Sequence, residues 1–304
     1  MPRAQGALPN IPDTAILPDE SVQKQFESKN QGQSLELFQL RGIKAAAATF
    51  FCLLPVVAGF LIPFCVLGYY AYHYFDVSWT SKFVTHAFNS FSLSVVASIT
   101  TIIIGITLAY SKRLNAGGAT NLLVRFSGLG YAMPGAVLAV GIIVPFAAFD
   151  NTLDDILREN FGISTGLLLS GTTFAIVFAY TVRFLAVSAG AVESSLAKVT
   201  PSMDMASRSL GRSNLSTLLR VHLPIIRGGV LTAALVVFVD CMKELPATLI
   251  LRPFNFETLA THVYQFASDE LLEQSALAAL IIVVVGILPV ILLSKSISST
   301  RSSS

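Results

Sequence analysis

Charge is scarce in this chain. Asp, Glu, Lys and Arg make up 12% of its 304 residues against 53% hydrophobic ones, and this excludes an ordinary soluble globular domain. Cysteine is scarce too: Cys52, Cys65 and Cys241 all fall in apolar stretches, far apart and without metal-ligand spacing, so they read as small apolar fillers. His73, His86, His222 and His262 are scattered singly and are expected to be solvated or capping residues rather than ligands. No metal or other cofactor is implied. The sequence has no GxxxxGK[ST] loop, so any ATP hydrolysis belongs to a partner. A short apolar core with a small-residue cleavage site is also missing from the beginning, so the first apolar stretch is expected to act as its own insertion signal.

What the chain does have is apolar length. A bilayer core roughly 30 Å thick needs about 20 apolar residues to cross it, and about six windows meet that need. They run near 45–72, 90–110, 129–149, 166–187, 229–251 and 276–293. The expected fold class is therefore an all-α polytopic membrane protein with six transmembrane helices. Lys and Arg cluster before the first window and after the second, fourth and sixth, whereas the alternate loops hold acids such as Asp150, Asp154, Asp155, Asp269, Glu270 and Glu273. Positive residues mark the cytoplasmic side, which puts both termini and the long fourth loop inside. Residues 1–40 are rich in Pro, Gln, Ser and mixed charge and are expected to be a flexible cytoplasmic tail or linker, followed by a transmembrane domain over 41–298. Pro55, Gly59 and Pro63 interrupt the first window, where neighbours or local distortion must re-satisfy the freed backbone groups. The acidic stretch from Phe149 to Gly162 is expected to be a solvated linker, and Val263, Phe266 and Leu271 or Leu272 fit an amphipathic helix on the membrane surface.

The loop over 188–228 carries the most specific pattern, TPSMDMASRSLGRSNLSTLLRVHLP from Thr200 to Pro224. Thr200 and Pro201 form a helix start, with the Thr200 hydroxyl expected to accept from a free backbone N–H. Asp204 in the first turn suits the helix dipole. Gly211 can take the left-handed conformation that ends the helix, and Ser213 can cap the next one, expected to stop before Pro224. These residues predict two short helices meeting at a glycine, a protruding elbow with basic flanks.

That stretch resembles the EAA loop of the permease subunits of ABC importers, in which Glu-Ala-Ala, three variable residues, Gly, nine variable residues and Ile-x-Leu-Pro form the coupling helices that dock into an ATP-hydrolysing subunit. Ala206, Gly211, Leu223 and Pro224 stand in register, with Val221 in the isoleucine place. Met205 stands where the acid is expected and Ser207 where the second alanine is, with Asp204 and Arg208 flanking them. Further landmarks, YAMPGAVLAVG from Tyr131 to Gly141 and KELPATLILRPFNFETLAT from Lys243 to Thr261, are similar to the permeases of ferric-iron importers. The resemblance, covering about Asn89 to Leu293, implies the type I importer permease fold in a bacterial inner membrane. The implied partners are a cytosolic ATPase dimer, a second permease half, an extracytoplasmic solute-binding protein and membrane lipid, with no nucleic acid. Those permeases are commonly fused from two halves, and this chain looks like the second half preceded by its linker. In the third window, small residues around Pro134 and Gly135 read as helix packing.

Asp240, Lys243 and Glu244 are the one ionisable cluster inside an expected span, roughly 16 to 22 Å from its inner end by helical rise. Each would cost about 2.5 to 3.5 kcal/mol facing lipid, so they must face protein or water. Helical spacing puts Asp240 near both Lys243 and Glu244, and Pro246 offers a kink just beyond. Two readings stay open: a translocation pathway or gate suited to a cationic cargo, and an ion-paired brace that lines nothing. Arg183 is expected to snorkel to the inner interface. An ABC permease for another small solute, or an ion-coupled secondary transporter using Asp240 and Glu244 as relays, are the rival functions. A membrane enzyme would need paired carboxylates, a histidine cluster or a nucleophile with its base, which the sequence lacks outside this patch.

Overall fold

Small residues and hydroxyls recur on the apolar stretches, and in a computed structural model of the chain they mark where helices meet. The structure describes residues 40–115 and 117–301, so the expected tail over 1–40 lies, but for Leu40, outside the described residues. The described elements are helices: α1 (Ile43–Val56), a π-turn (Val57–Leu61), α2 (Ile62–His73), α3 (Phe75–Ser78), α4 (Ser81–Leu114), α5 (Gly118–Ala132), α6 (Gly135–Phe161), α7 (Thr173–Leu196), α8 (Pro201–Ser209), α9 (Asn214–Thr217), a second π-turn (Leu218–His222), α10 (Leu223–Met242), α11 (Pro246–Leu251), α12 (Leu259–Ser268) and α13 (Leu272–Arg301). Among the described residues, six helical stretches are long and apolar enough to cross a membrane. The chain falls into two units, one ending at Val57 and one beginning at Ala58. In the first, α1 carries Pro55 inside the helix and buries none of its residues.

In the second unit, α4, α7 and α10 pack on one another, α5 lies against α7, α11 against α6, and α13 against α2 and α12. The main core joins Leu93 and Ala97 of α4, Leu138 and Ile142 of α6, Ile176, Tyr180 and Phe184 of α7, Val237 and Cys241 of α10 and Leu251 of α11. Lipid offers little hydrophobic drive between helices, so close approach and interhelical hydrogen bonds do the joining. Ser98 donates to the Ala234 carbonyl at 2.8 Å and Ser188 to the Thr101 carbonyl at 3.2 Å. Cys241 is buried, while Cys52 and Cys65 are exposed on the chain's own surface.

Several expectations change. The third span begins at Gly135, not 129, because Leu129 to Ala132 close a separate helix, α5, that breaks before Pro134. The acidic stretch after Phe149 is no linker: α6 runs unbroken to Phe161. Its acids hold the returning connection. Buried Asp150 accepts from the backbone N–H groups of Leu169 and Ser170, and Asp154 from those of Thr165 and Gly166, which satisfies turn donors that would otherwise be orphaned. Pro224 does not stop the elbow's second helix either. The π-turn at Leu218–His222 carries it straight into α10, and this local widening of the helix stands just before Pro224, which has no N–H to donate.

Two glycines test this packing. A Cβ on Gly105 would stand 2.1 Å from the Ser188 hydroxyl oxygen, and one on Gly130 2.2 Å from the Val182 carbonyl oxygen. Gly105→Ala is expected to cost about 1–3 kcal/mol, with partial recovery when Ser188→Ala removes the closer atom. Gly130→Ala, which meets backbone, should cost more and should not be rescued by trimming side chains. Thermal unfolding of the purified protein in lipid nanodiscs measures both.

Candidate functional site: an elbow and a pair of helix breaks

The elbow is built from residues that the chain turns inward. α8 presents Asp204 and Ser207 to the bundle and leaves Met205, Ala206 and Arg208 exposed. Asp204 accepts from Arg113 at the end of α4, at 3.0 Å from Nε and 2.8 Å from Nη2. The same guanidinium donates to the carbonyls of Leu196 and Val199, both at 2.8 Å, and so caps the end of α7. The other Asp204 oxygen lies 2.6 Å from Nε2 of His222, a fully buried ring in the second π-turn. The two atoms are close, but neither ring nitrogen of His222 makes a hydrogen bond. Tyr110 packs on His222 and donates to the Asn214 carbonyl at 2.8 Å. Lys112 pairs with Glu193 beside them.

Ser207 and Thr217 share a 2.7 Å hydrogen bond that closes the elbow on itself. Gly211 has φ +72°, the left-handed conformation expected of it, and Ser213 caps α9 through the N–H of Ser216. The Thr200 hydroxyl does not cap α8; it faces the Ser202 hydroxyl at 2.9 Å. Val221 and Leu223 are half-buried and Pro224 is exposed. Outside, Met205 at 64% exposure, Leu210 at 78% and Leu215 at 64% leave an apolar surface on the elbow. The acid one place before the expected position thus points inward, and the methionine standing in the acid's place points out.

The second constellation lies where two helices are interrupted. The first break is Met133 and Pro134, between α5 and α6; the second is Lys243 to Leu245, between α10 and α11. The fifth span is therefore two pieces, not one helix over 229–251 with a kink at Pro246. Pro246 opens the second piece. Arg183 of α7 stands between the breaks. It donates to the Met133 carbonyl at 3.2 Å and forms an ion pair with Glu244 at 3.4 Å, with 21% and 8% of the two side chains exposed. It does not snorkel to an interface, because a buried partner is in reach. Gly135 is the contact point: a Cβ there would stand 2.5 Å from Glu244 Oε1 and 2.7 Å from Arg183 Nη1. The role expected for Pro134 and Gly135, close helix approach, becomes close approach to an ion pair.

Helical spacing was expected to bring Asp240 to both neighbours. Asp240 pairs with Lys243 at 2.8 Å, whereas Glu244, past the end of α10, turns to Arg183. The Glu244 carbonyl freed by the break accepts from the Thr248 hydroxyl at 2.8 Å and from Tyr180 at 3.3 Å. Both acids therefore carry a cationic partner, and neither stands open to a cation as a lone charge. One more expectation changes here: His86 and His262 are not isolated, since their rings lie 5.1 Å apart. Among the described residues no group of three or more His, Cys, Asp or Glu is placed to hold a metal ion.

Arg183→Met leaves Glu244 buried without a counter-charge and is expected to destabilise by up to about 3 kcal/mol, the low end for a buried pair because Arg183 keeps some exposure. Adding Glu244→Gln should recover part of that loss. A double-mutant cycle on thermal stability in nanodiscs measures the coupling, and additive losses would mean the pair contributes nothing.

No protein-family model matches the chain. In sequence it is 28% identical over 215 residues to an Fe(3+)-transport system permease protein, FbpB 2, of Haemophilus influenzae, a match covering 71% of this chain and 39% of that protein. It is 22% identical over 186 residues to a spermidine/putrescine transport system permease protein homolog of Mycoplasma genitalium, covering 61% of this chain and 60% of that one. The match thus spans 39% and 60% of the length of these curated relatives. In structure it is similar to a chain of a bacterial alginate ABC transporter crystallised with its alginate-bound periplasmic protein, with a TM-score of 0.63, 15% identity and coverage of 82% of this chain and 93% of that one. It is also similar to a chain of the MetNI methionine ABC transporter in an inward-facing conformation, with a TM-score of 0.50, 18% identity and coverage of 71% and 94%. The chain thus has an all-helical fold shared with ABC transporters, and it resembles the permeases of ABC importers, ferric-iron permeases among them.

Proposed function

We propose that this chain is a membrane permease subunit of an ATP-driven importer, moved by a separate cytosolic ATPase that grips the elbow. The observation that carries this reading is the elbow's construction. Its inner face is fastened to the ends of α4 and α7 through Arg113, its outer face is apolar, and its second helix continues without interruption into α10. Force applied at such a surface reaches a membrane helix directly, as a two-state bundle driven from one end requires. The chain has no Walker-type loop, so hydrolysis would occur in the partner.

The distribution of the basic residues favours an elbow and termini on the cytoplasmic side of a bacterial inner membrane. A second permease half would complete the pathway, and an extracytoplasmic solute-binding protein would deliver the cargo at the opposite face. The names of two relatives favour ferric iron as that cargo. The elbow residues Asp204, Ser207, Gly211, Val221, Leu223 and Pro224 would shape the coupling surface, with Met205, Ala206 and Arg208 on its outer face. Asp240, Lys243, Glu244 and Pro246 would form a hinge beside the pathway. Pairing of Asp240 with Lys243 and of Glu244 with Arg183 weighs against the rival in which these acids relay protons or cations.

Leu210→Glu with Leu215→Glu puts charge into the apolar outer face without touching the inner contacts. This variant should insert and fold normally yet lose co-purification with the co-expressed ATPase, and uptake with it. Gly211→Val meets no atom within 4 Å but forces a β-branched residue to φ +72°, so it should lower both through the backbone alone. Uptake that survives ATP depletion and collapses with the ion gradient would favour the secondary transporter instead.

A further inference from the structure

At the end of α4 remote from the elbow, α12 lies on the start of α4 and its first residues are pinned there. Ser90 accepts from the Leu259 N–H at 2.7 Å, and Asn89 donates to the Glu257 carbonyl at 3.0 Å. Thr258 and Thr261 close a capping box over the same turn. One turn away on each helix the fastening changes in kind. His86 of α4 meets His262 of α12 edge to face, with ring centres 5.1 Å apart, and Phe266 continues the stack 4.6 Å from His262. Both imidazoles are half-buried, and Nδ1 of His86 is shut from solvent without a hydrogen-bond partner.

A neutral imidazole packs in such a place as an aromatic ring, whereas a protonated one is a partly buried charge that needs a carboxylate. None is free. The charged groups around the rings are Lys82 of α4 and Arg252 and Glu257 of the connection from α11 to α12, while α3, α11 and α13 present the uncharged Ser78, Leu249 and Gln274. Glu257, the single carboxylate among the described residues lining this cleft, pairs with Arg252 and accepts from the Thr261 hydroxyl at 2.6 Å. Lys82 would add like charge beside a protonated His86. Burial, and then the His86 ring, hold the pKa of His262 below its ordinary value near 6.5. The sign follows: stability drawn from a neutral ring is whole above that ordinary value and is lost as pH falls below it toward the lowered one.

We infer that the contact of His86 with His262 is an acid-sensitive latch, which holds α12 on α4 while both rings are neutral and loosens when the medium at that end of the bundle acidifies. The start of α12 stays pinned at Asn89 and Ser90, with Leu259 kept in the core beside Phe83 and Ala278, so the loosening is local to the side facing the cleft. The inference is independent of the transport reading, since it uses none of the elbow or helix-break residues.

Amide hydrogen exchange tests it on the full chain in phosphatidylcholine nanodiscs, followed by mass spectrometry at pH 7.5 and 5.5 and corrected for the intrinsic pH dependence of exchange. A ring that the contact keeps neutral makes local opening up to about tenfold more frequent one pH unit below its ordinary value. Exchange over 259–268 is therefore expected to rise at least about threefold on acidification, while exchange over 173–196 in α7 stays level. His86→Phe with His262→Phe keeps two packed rings, removes both titrations and should abolish the rise. His262→Gln is the smaller change and should reduce it, which decides the matter should the double variant not fold. No rise in the parent chain, a rise of the same size over 173–196, or an undiminished rise in the double variant or in His262→Gln would overturn the inference.

Discussion

Inside a bilayer every interrupted helix leaves backbone groups that water cannot reach, and this bundle closes two interruptions with one ion pair. Arg183 donates to the carbonyl of Met133 at the first break and pairs with Glu244 at the second. Thr248 and Tyr180 cover the Glu244 carbonyl, and Gly135 has no side chain because there is no room for one. The arrangement is economical in polar groups and strict in geometry. Elements as distant in sequence as α5, α7 and α11 come together through it, and a change in any partner exposes an unsatisfied group in the others.

The spans were legible because apolar length is a strong signal, and the elbow was legible because glycine, serine and proline carry their conformational preferences with them. Gly211 and Ser213 behave as their residue types dictate. What could not be read were pairings between elements. Arg183 is the single charge between Gly166 and Val187, and a lone cation in one span signals a partner in another, but spacing along one helix drew Glu244 toward Asp240 instead. Arg113 and Tyr110 escaped notice for the same reason, and His222, expected to be solvated or capping, is fully buried. Each is ordinary in its local sequence and acquires a role only when α4 reaches the elbow. The acids after Phe149 misled in the opposite direction, since a charge-rich run looks solvated until the turn donors that it satisfies are known.

The motif departure at Met205 also gains a physical account. On a short helix lying against a bundle, adjacent residues point in different directions, so an acid at 204 and an acid at 205 have different duties. Here the acid faces inward and fastens the elbow to α4, while the outward place is apolar. In this chain the elbow surface offers a partner mainly apolar contact rather than a carboxylate at that position.

The elbow and the breaks are linked by α10. From Asn214 through the second π-turn to Met242 the chain is helical without a gap, and 29 residues span about 43 Å. At one end of this rod lie Asp204, Arg113 and His222; at the other lie Glu244 and Arg183. A continuous helix packed on Tyr110 at the elbow end and broken just past the other is suited to transmit displacement rather than absorb it. The π-turn is the one irregular stretch between them, and its wider hydrogen-bond ring is where a change in angle between elbow and rod costs least. In the proposed coupling, movement of the elbow would load the Glu244–Arg183 contact, and because that contact also closes the break at Met133, α6 would respond with α10. Coupling across the bundle then requires no chain of small adjustments through the apolar core, only that one mostly buried ion pair be shared by two broken helices.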